Sequence, residues 1–330
     1  MSKERHEALG LSDDQVLEMF KTMLLARKLD ERMWLLNRAG KIPFVISCQG
    51  QEAAQVGASF ALDRDKDYVA PYYRDMGVVL AFGMTATELM LSGFAKAEDP
   101  NSGGRQMPGH FGQKKNRILT GSSPVTTQVP HAVGVALAAK MEKKDFVSFV
   151  TLGEGSSNQG DFHEGLNFAG VHKLPVITMV ENNKYAISVP IEKQIASKNV
   201  SDRAQGYGMP GITVDGNDPL AVYKAVKEAR ERAVKGEGPS LIEAVSYRLT
   251  AHSSDDDDRQ YRASDEVEEA KQKDSIITFA AYLKEEGILT EEIEKELNQE
   301  ISSVVNEATD YAENAPYANP EDALKFVYEE

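Results

Sequence analysis

The feature that most constrains this sequence is a strand–helix–strand pattern across residues 146–183. Residues 146–152 form a short apolar run with β-branched side chains, which predicts a buried strand. Asp161 and Glu164 then stand as the cap and the third residue of a predicted helix, and residues 175–180 predict a second buried strand. We therefore predict an α/β fold whose parallel strands carry ligand-binding loops at their carboxyl ends.

Polar residues follow both predicted strands. A Gly-Glu-Gly triplet around Glu154 interrupts the first strand, and a Glu-Asn-Asn segment that ends at Asn183 closes the second. Glycines let the backbone approach a phosphate closely, and a carboxylate with an amide oxygen suits Mg²⁺, which prefers hard oxygen ligands. The two strand ends therefore predict a site for a Mg²⁺-bound diphosphate. A dinucleotide fingerprint is disfavoured because Asn158 stands where its third glycine belongs.

The overall composition argues against several functional classes. A formal charge of −15 disfavours a nucleic-acid surface, which needs clustered cations, and no apolar run approaches the ~20 residues of a membrane helix. We therefore expect no nucleic-acid or membrane partner. The single cysteine, Cys48, cannot form an internal disulfide, so the expected location is a reducing cytoplasm, with Cys48 as a small buried side chain.

Helix-start signals place further elements around the central unit. They are capping boxes at Ser12 and Thr85, an Asp-Pro pair at Asp218 and a capping threonine at Thr290. Residues 97–125 form a long loop rich in glycine and proline, and loops of that length in compact domains are commonly functional. We predict one domain over residues 1–330, with a mostly parallel sheet flanked by helices and helical N- and C-terminal extensions.

Further motifs occur in an order that resembles a known family. They are Tyr73-Arg74, Ser122-Ser123-Pro124, residues 181–186, His252-Ser253 and Tyr261-Arg262. Together with the Gly-Glu-Gly triplet and the later Asn-Asn pair, they resemble the alpha subunits of thiamin-dependent 2-oxo acid dehydrogenases, most like the branched-chain type. The triplet alone is equally typical of an ordinary strand-to-helix turn. The ordered set covers nearly the whole chain and implies a thiamin diphosphate-binding fold.

The resemblance implies a role for each motif. Mg²⁺ is expected to be held by the side chains of Glu154 and Asn183 and by the backbone carbonyl of Tyr185, and His252 is expected to be the catalytic residue. The other residues implied to bind thiamin diphosphate are Tyr73, Arg74, Ser123, Val125, Gly153, Gly155, Ser156 and Ala186. In some relatives a potassium ion orders the turn that matches Ser122, Pro124, Thr127 and Gln128, and whether this chain binds one stays open. The alternative for the serines is helix capping.

Two apolar residues, Phe44 and Ile46, form the implied substrate pocket. Pyruvate-type relatives carry a histidine where Ile46 stands and another where Met76 stands, whereas Phe44 matches an aromatic residue of the substrate channel in branched-chain relatives. An apolar pocket favours a branched side chain over a methyl group. The alternative is that these residues only pack in the core. Glu181 is a departure, since animal branched-chain relatives have an arginine there and pyruvate-type relatives resemble this sequence.

The implied activity is oxidative decarboxylation of 2-oxoisovalerate-type acids, with transfer of the acyl group to a lipoyl-bearing dihydrolipoyl acyltransferase. Relatives need an activating glutamate from a second domain, so the resemblance implies a beta subunit, two alpha and two beta chains, and a multienzyme complex of branched-chain amino acid catabolism. The acidic stretch after His252 is expected to fold over the entrance, with Arg248 pairing with Asp255. Alternatives are the alpha subunit of a pyruvate or acetoin dehydrogenase and a non-catalytic assembly subunit.

Overall fold

A computed structural model describes residues 5–325 of the protein. Its strands are β1 Tyr68–Ala70, β2 Ser148–Gly153, β3 Val176–Asn182, β4 Tyr185–Ala186, β5 Val189–Pro190, β6 Gly211–Asp215 and β7 Ser240–Val245. Five of them form one sheet in the order β1-β2-β3-β7-β6, and every neighbouring pair in this sheet is parallel. The short strands β4 and β5 form a separate antiparallel pair directly after β3.

Helices cover both faces of this sheet. Within residues 5–325 the α-helices are α1 Asp13–Arg38, α2 Glu52–Phe60, α3 Met76–Ala81, α4 Ala86–Gly93, α5 Gln128–Met141, α6 Gly160–His172, α7 Pro219–Val234, α8 Ser264–Gln272, α9 Ser275–Glu285 and α10 Glu291–Asn314. Successive strand residues face opposite sides, so Phe149 and Ile177 pack in a core with α1, α2 and α7. Val150 and Val176 pack in a second core with α5 and α6. The predicted α/β class with a mostly parallel sheet is confirmed.

Helices from both ends of the chain pack together beside the sheet. Helix α1 contacts α2 and α10, and α10 also packs against α4. Helices α1 and α10 belong to the predicted N- and C-terminal extensions. All four predicted helix starts are confirmed, with capping boxes at Ser12 and Thr85 and capping side chains at Asp218 and Thr290. None of the helices in the described part of the chain has an apolar stretch long enough to cross a bilayer.

The start of α6 differs from the prediction. Asp161 is not its cap, because the helix begins at Gly160 after an extended Gln159, and no side chain caps it. A 3₁₀ turn over Gly155–Asn158 separates it from β2, and the backbone N–H of Gln159 closes that turn on the Ser156 carbonyl over 3.0 Å. Asp161 therefore lies in the first turn of α6, where its carboxylate faces the positive end of the helix dipole.

Candidate active site

Glu154 and Asn183 meet at the carboxyl ends of the neighbouring strands β2 and β3. The backbone N–H of Asn183 donates to Oε2 of Glu154 over 3.3 Å, and the side-chain amide of Gln194 donates to Oε1 over 3.2 Å. Glu154 is 1% exposed and Asn183 4% exposed. Burial raises the pKa of Glu154 above its ordinary value. A bound cation would favour the charged form of this carboxylate.

Tyr185 completes this group of oxygen donors. Lys184 has a φ of +77°, and this left-handed conformation turns the chain so that the Tyr185 N–H donates to Oδ1 of Asn183 over 3.4 Å. The Tyr185 carbonyl accepts from Nη1 of Arg248 over 3.3 Å. The three predicted ligands thus lie together, and a carboxylate, a carboxamide and a backbone carbonyl are the hard oxygen donors that fit Mg²⁺. Elsewhere in residues 5–325 no cluster of three His, Cys, Asp or Glu side chains offers a rival metal site.

The loop between β2 and α6 is held close to the β4 strand. A Cβ added to Gly155 would lie 2.5 Å from Cβ of Ala186, so only glycine permits this approach. A Cβ added to Gly153 would make an ordinary van der Waals contact with the Tyr72 ring at 4.0 Å, so this glycine is not required by close packing. Thr126 anchors the loop by donating to the Ser156 carbonyl over 2.9 Å. The glycine, serine and alanine residues predicted to bind the diphosphate therefore lie on two adjoining segments.

Arg74 connects the turn after β1 to His252. Its Nη2 donates to Nδ1 of His252 over 3.3 Å and to the His252 carbonyl over 3.2 Å, while Nη1 donates to the Ser47 carbonyl over 2.6 Å. The Tyr73 ring meets the His252 ring edge-on at 6.2 Å between centroids. No atom of the described residues accepts from the buried Nε of Arg74. A bound anion could accept from this guanidinium.

The protonation state of His252 follows from its neighbours. Burial and the positive charges of Arg74 and Arg248 lower the pKa of His252 to about 4, and the opposing charge of Asp256 is the smaller effect. The imidazole is therefore neutral at pH 7. Because Nδ1 accepts from Arg74, the ring proton lies on Nε2. His252 thus has one donor on the side away from Arg74.

The acidic stretch contacts Arg248 differently from the prediction, because Asp255 is not its partner. Arg248 is fully buried, and Nη2 donates to the Ile187 carbonyl over 2.9 Å and to the Tyr261 hydroxyl over 3.0 Å. The Tyr261 hydroxyl donates to Asp256, which also accepts from the His252 N–H over 2.8 Å. Arg248 therefore donates to a backbone carbonyl and to Tyr261, and Tyr261 in turn connects this arginine to Asp256.

The predicted substrate residues line a cavity of about 240 Å³. Phe44 and Ile46 are half-buried there, beside Tyr73. The cavity also contains residues predicted to bind the cofactor or potassium, namely Ser122, Ser123, Val125, Gln128 and Ser156. A smaller pocket of about 30 Å³ adjoins Phe44 and Ile46 and is lined by Met76. The structure therefore brings the predicted substrate residues and four of the predicted cofactor residues, Tyr73, Ser123, Val125 and Ser156, to one cavity.

The four residues of the predicted potassium site lie in the turn before α5 and at the first position of that helix. Gln128 is buried and its side-chain amide donates to the Thr151 carbonyl over 3.0 Å, which ties the turn to β2. Thr126 has a φ of +82°, an uncommon conformation for a threonine. Helix α5 begins after Thr127 without a side-chain cap, so the serines do not cap it. Ser123 instead lies 2.6 Å from Nε2 of His110. Potassium binding stays a prediction.

Two buried residues at this site, Gln51 and Tyr72, were not predicted from the sequence. Oε1 of Gln51 accepts from the Asn183 side-chain amide over 3.2 Å and from the Tyr72 hydroxyl over 3.1 Å. Glu181 faces the core, where Gln55 donates to it over 3.0 Å and burial raises its pKa. The Gly-Gln-Glu segment around Gln51 was the sequence signal that could have drawn attention to this residue. A helix-start pattern, however, does not predict the direction in which the first side chain points.

Comparison with known proteins agrees with this arrangement. The dehydrogenase E1 component family matches residues 20–321. The chain is 76% identical over 328 residues to the 2-oxoisovalerate dehydrogenase subunit alpha of Bacillus subtilis strain 168, covering 99% of both chains. It is 40% identical over 320 residues to the pyruvate dehydrogenase E1 component subunit alpha of Bacillus cereus, covering 97% of this chain and 83% of the relative. The Bacillus subtilis subunit of that same type is 38% identical with the same coverage. This chain belongs to the dehydrogenase E1 component family, whose members depend on thiamin diphosphate.

Proposed function

We propose that this chain is the alpha subunit of a branched-chain 2-oxo acid dehydrogenase. It would take part in the oxidative decarboxylation of 2-oxoisovalerate-type acids and in transfer of the acyl group to a lipoyl-bearing dihydrolipoyl acyltransferase. The observation that carries the substrate class is the cavity where apolar Phe44 and Ile46 lie beside Ser123 and Ser156. The high identity to a 2-oxoisovalerate dehydrogenase subunit supports the same substrate.

The metal and diphosphate end of the cofactor would lie at β2 and β3. Glu154 and Asn183 would bind Mg²⁺ through side-chain oxygens, and Tyr185 through its carbonyl, which also accepts from Arg248. The glycine-rich backbone of the loop after β2, with the close approach at Gly155, suits a diphosphate against the backbone. Tyr73, Arg74, Ser123, Val125, Ser156, Ala186 and His252 would complete the cofactor contacts.

The chain's own contribution to catalysis would come mainly from His252. Thiamin diphosphate, when bound, supplies a nucleophilic carbon and an electron sink for the loss of carbon dioxide. The neutral imidazole carries its proton on Nε2, so it can donate a hydrogen bond to an oxygen that gains negative charge near the cavity. Arg74 and Arg248 add positive charge beside it, which favours binding of an anionic 2-oxo acid.

The same proposal covers assembly and location. The chain would form one domain over residues 1–330 and pair with a beta subunit, as two alpha and two beta chains, because a subunit named alpha in its relatives implies a partner. Ser122, Pro124, Thr127 and Gln128 would be the potassium site, since they lie close together along the segment that leads into α5. Cys48 is buried and free, which suits a reducing cytoplasm.

The decisive experiment is reconstitution of this chain with its beta subunit, Mg²⁺ and thiamin diphosphate. Decarboxylation is measured with 2-oxoisovalerate, its longer branched homologues and pyruvate, and the chain alone is the control. We expect activity only in the reconstituted complex and a higher kcat/KM for the branched acids. Activity of the chain alone would contradict the two-subunit proposal. Absence of cofactor binding by the complex would favour a non-catalytic assembly subunit.

The second candidate is the alpha subunit of a pyruvate or acetoin dehydrogenase. One observation favours it, namely Glu181, which resembles the pyruvate type. The structure places that side chain in the core beside Gln55 and Tyr72, so it does not line the substrate cavity. A pyruvate kcat/KM equal to or above that for the branched acids would nevertheless select this candidate.

A further inference from the structure

Gln51 lies next to the candidate metal site without being one of its predicted ligands. It is fully buried, and it occupies the position directly before α2 without capping that helix through its side chain. Its Oε1 accepts from Nδ2 of Asn183 over 3.2 Å and from the Tyr72 hydroxyl over 3.1 Å. The side chain therefore points from the start of α2 to the metal ligand at the end of β3.

This contact determines which atom of the Asn183 carboxamide faces Tyr185, another predicted ligand residue. A carboxamide presents its oxygen and its nitrogen on opposite sides. With Nδ2 held by Gln51, Oδ1 is directed away from Gln51, where it accepts a long 3.4 Å hydrogen bond from the Tyr185 N–H. In the reversed orientation the carboxamide would present its N–H groups to a cation, and their partial positive charge would repel it.

The backbone around Gln51 is rigid enough to hold this orientation. Gly50 has a φ of +92°, and a Cβ there would lie 2.1 Å from the Tyr247 carbonyl oxygen. The Gly50 N–H donates to Oε2 of Glu52 over 2.8 Å, and Glu52 is paired with Arg27 at 2.6 Å. The turn that carries Gln51 is thus fixed on both sides by buried contacts.

We propose that Gln51 is a positioning residue for the metal site, whose Oε1 fixes the Asn183 carboxamide with Oδ1 towards Mg²⁺. The inference rests on the proposed function, since it takes Asn183 as a metal ligand. Nε2 of Gln51 is buried and finds no acceptor among residues 5–325. A glutamate at this position would keep the acceptor and remove the unpartnered donor, whereas a methionine of similar length would remove the acceptor.

The test is calorimetric titration of Mg²⁺ into the reconstituted complex of this chain and its beta subunit at saturating thiamin diphosphate. Loss of a residue that orients a metal ligand typically weakens metal binding by roughly 10–100-fold. We expect that loss in Gln51→Met and recovery of most of the affinity in Gln51→Glu. The control is Ser59→Ala, which removes a buried hydroxyl from the same helix α2, and it should bind Mg²⁺ as the wild type does.

Several outcomes would overturn the inference. One is wild-type Mg²⁺ affinity in Gln51→Met, and another is a Gln51→Glu variant as weak as Gln51→Met. Tyr72→Phe provides a separate arm that leaves Gln51 in place, because it removes the hydroxyl that lies 3.1 Å from both Oε1 of Gln51 and Oε2 of Glu181. Its Mg²⁺ affinity should fall, and unchanged affinity there would also count against the inference. If the wild-type complex itself bound no Mg²⁺, the proposed function would fail rather than the role of Gln51 alone.

Discussion

Nη2 of Arg74 lies 3.3 Å from Nδ1 of His252 and donates a hydrogen bond to it. Arg248 approaches the same nitrogen at 3.5 Å. Two guanidinium groups therefore face one ring nitrogen, and both oppose protonation of the imidazole. This arrangement keeps His252 neutral and directs its proton to Nε2. It also links the turn after β1, which contains Arg74, to the segment after β7, which contains His252.

The first prediction concerns stability at acid pH. His252 has a pKa of about 4 in the folded chain, against about 6.5 for an ordinary histidine. Between these values the unfolded chain binds a proton that the folded chain does not, so the stabilisation present above pH 6.5 is lost as the pH falls towards 4. We expect the free energy of unfolding of His252→Gln to fall less than that of the wild type across this window.

The measurement is urea unfolding of the full chain at several pH values between 7.5 and 4. His131→Gln is the matched control, since His131 is exposed on α5 and belongs to neither the cavity nor the metal group. Its pH dependence should follow the wild type. Parallel curves for His252→Gln and the wild type would contradict a depressed pKa at His252.

The second prediction concerns the metal. Glu154→Ala or Asn183→Ala removes a hard oxygen donor from the group at β2 and β3, so Mg²⁺-dependent thiamin diphosphate binding should weaken by more than the roughly 10–100-fold typical of losing an indirect partner. The fold should survive, because neither side chain belongs to an apolar core. Calorimetry on the reconstituted complex tests this. Glu164→Ala, an exposed carboxylate on α6, is the control, and equal affinity in all the variants would dismiss the site.

Much of this fold was predictable because its signals are local. Apolar runs indicated β2 and β3, and the capping boxes at Ser12 and Thr85 are confirmed because their hydrogen bonds span only three residues. Asp161 failed as a cap because an extra 3₁₀ turn lies before α6. Glycine-rich turns of this kind depend on close approaches, such as Gly155 to Ala186, that no local pattern shows.

For the candidate site, the sequence predicted which residues lie near one another better than it predicted their contacts. The family motifs indicated Glu154, Asn183 and His252. The structure brings the first two to the carboxyl edge of the sheet, and it places His252 against Tyr73, which lines the adjoining cavity. The prediction that Arg248 pairs with Asp255 was wrong, because the choice between adjacent aspartates depends on the geometry of the loop. In this loop the Tyr261 hydroxyl contacts both Arg248 and Asp256. Charge patterns in sequence do not distinguish such neighbours.

The third prediction concerns the acidic segment. Arg259 is 87% exposed, whereas Arg262 is buried and donates to the Thr250 carbonyl over 2.6 Å. Trypsin should therefore cleave the free chain after Arg259 before it cleaves after Arg262. Mg²⁺ and thiamin diphosphate should slow the first cleavage, because the segment is attached to His252 through Asp256 and ordering the histidine orders the segment.

The readout is the rate of each cleavage by mass spectrometry, with and without Mg²⁺ and thiamin diphosphate in the reconstituted complex. Cleavage after Lys235, exposed at the end of α7, is the internal control and should not respond. Equal rates after Arg259 in both conditions would mean that ligand binding does not order this segment.

The last prediction concerns substrate choice at Ile46. Its half-buried side chain lines the cavity together with Phe44 and Tyr73, so it offers apolar surface to a substrate side chain. Ile46→His replaces that surface with a polar ring, and one buried methylene is worth roughly 10–200-fold in specificity. We expect the variant to lose kcat/KM for 2-oxoisovalerate within that range and to lose much less for pyruvate. Ile277→His, at a position 60% exposed on α9, should change neither value. Steady-state kinetics of the reconstituted enzymes with both acids decide the matter, and an unchanged preference in Ile46→His would assign this residue to packing alone.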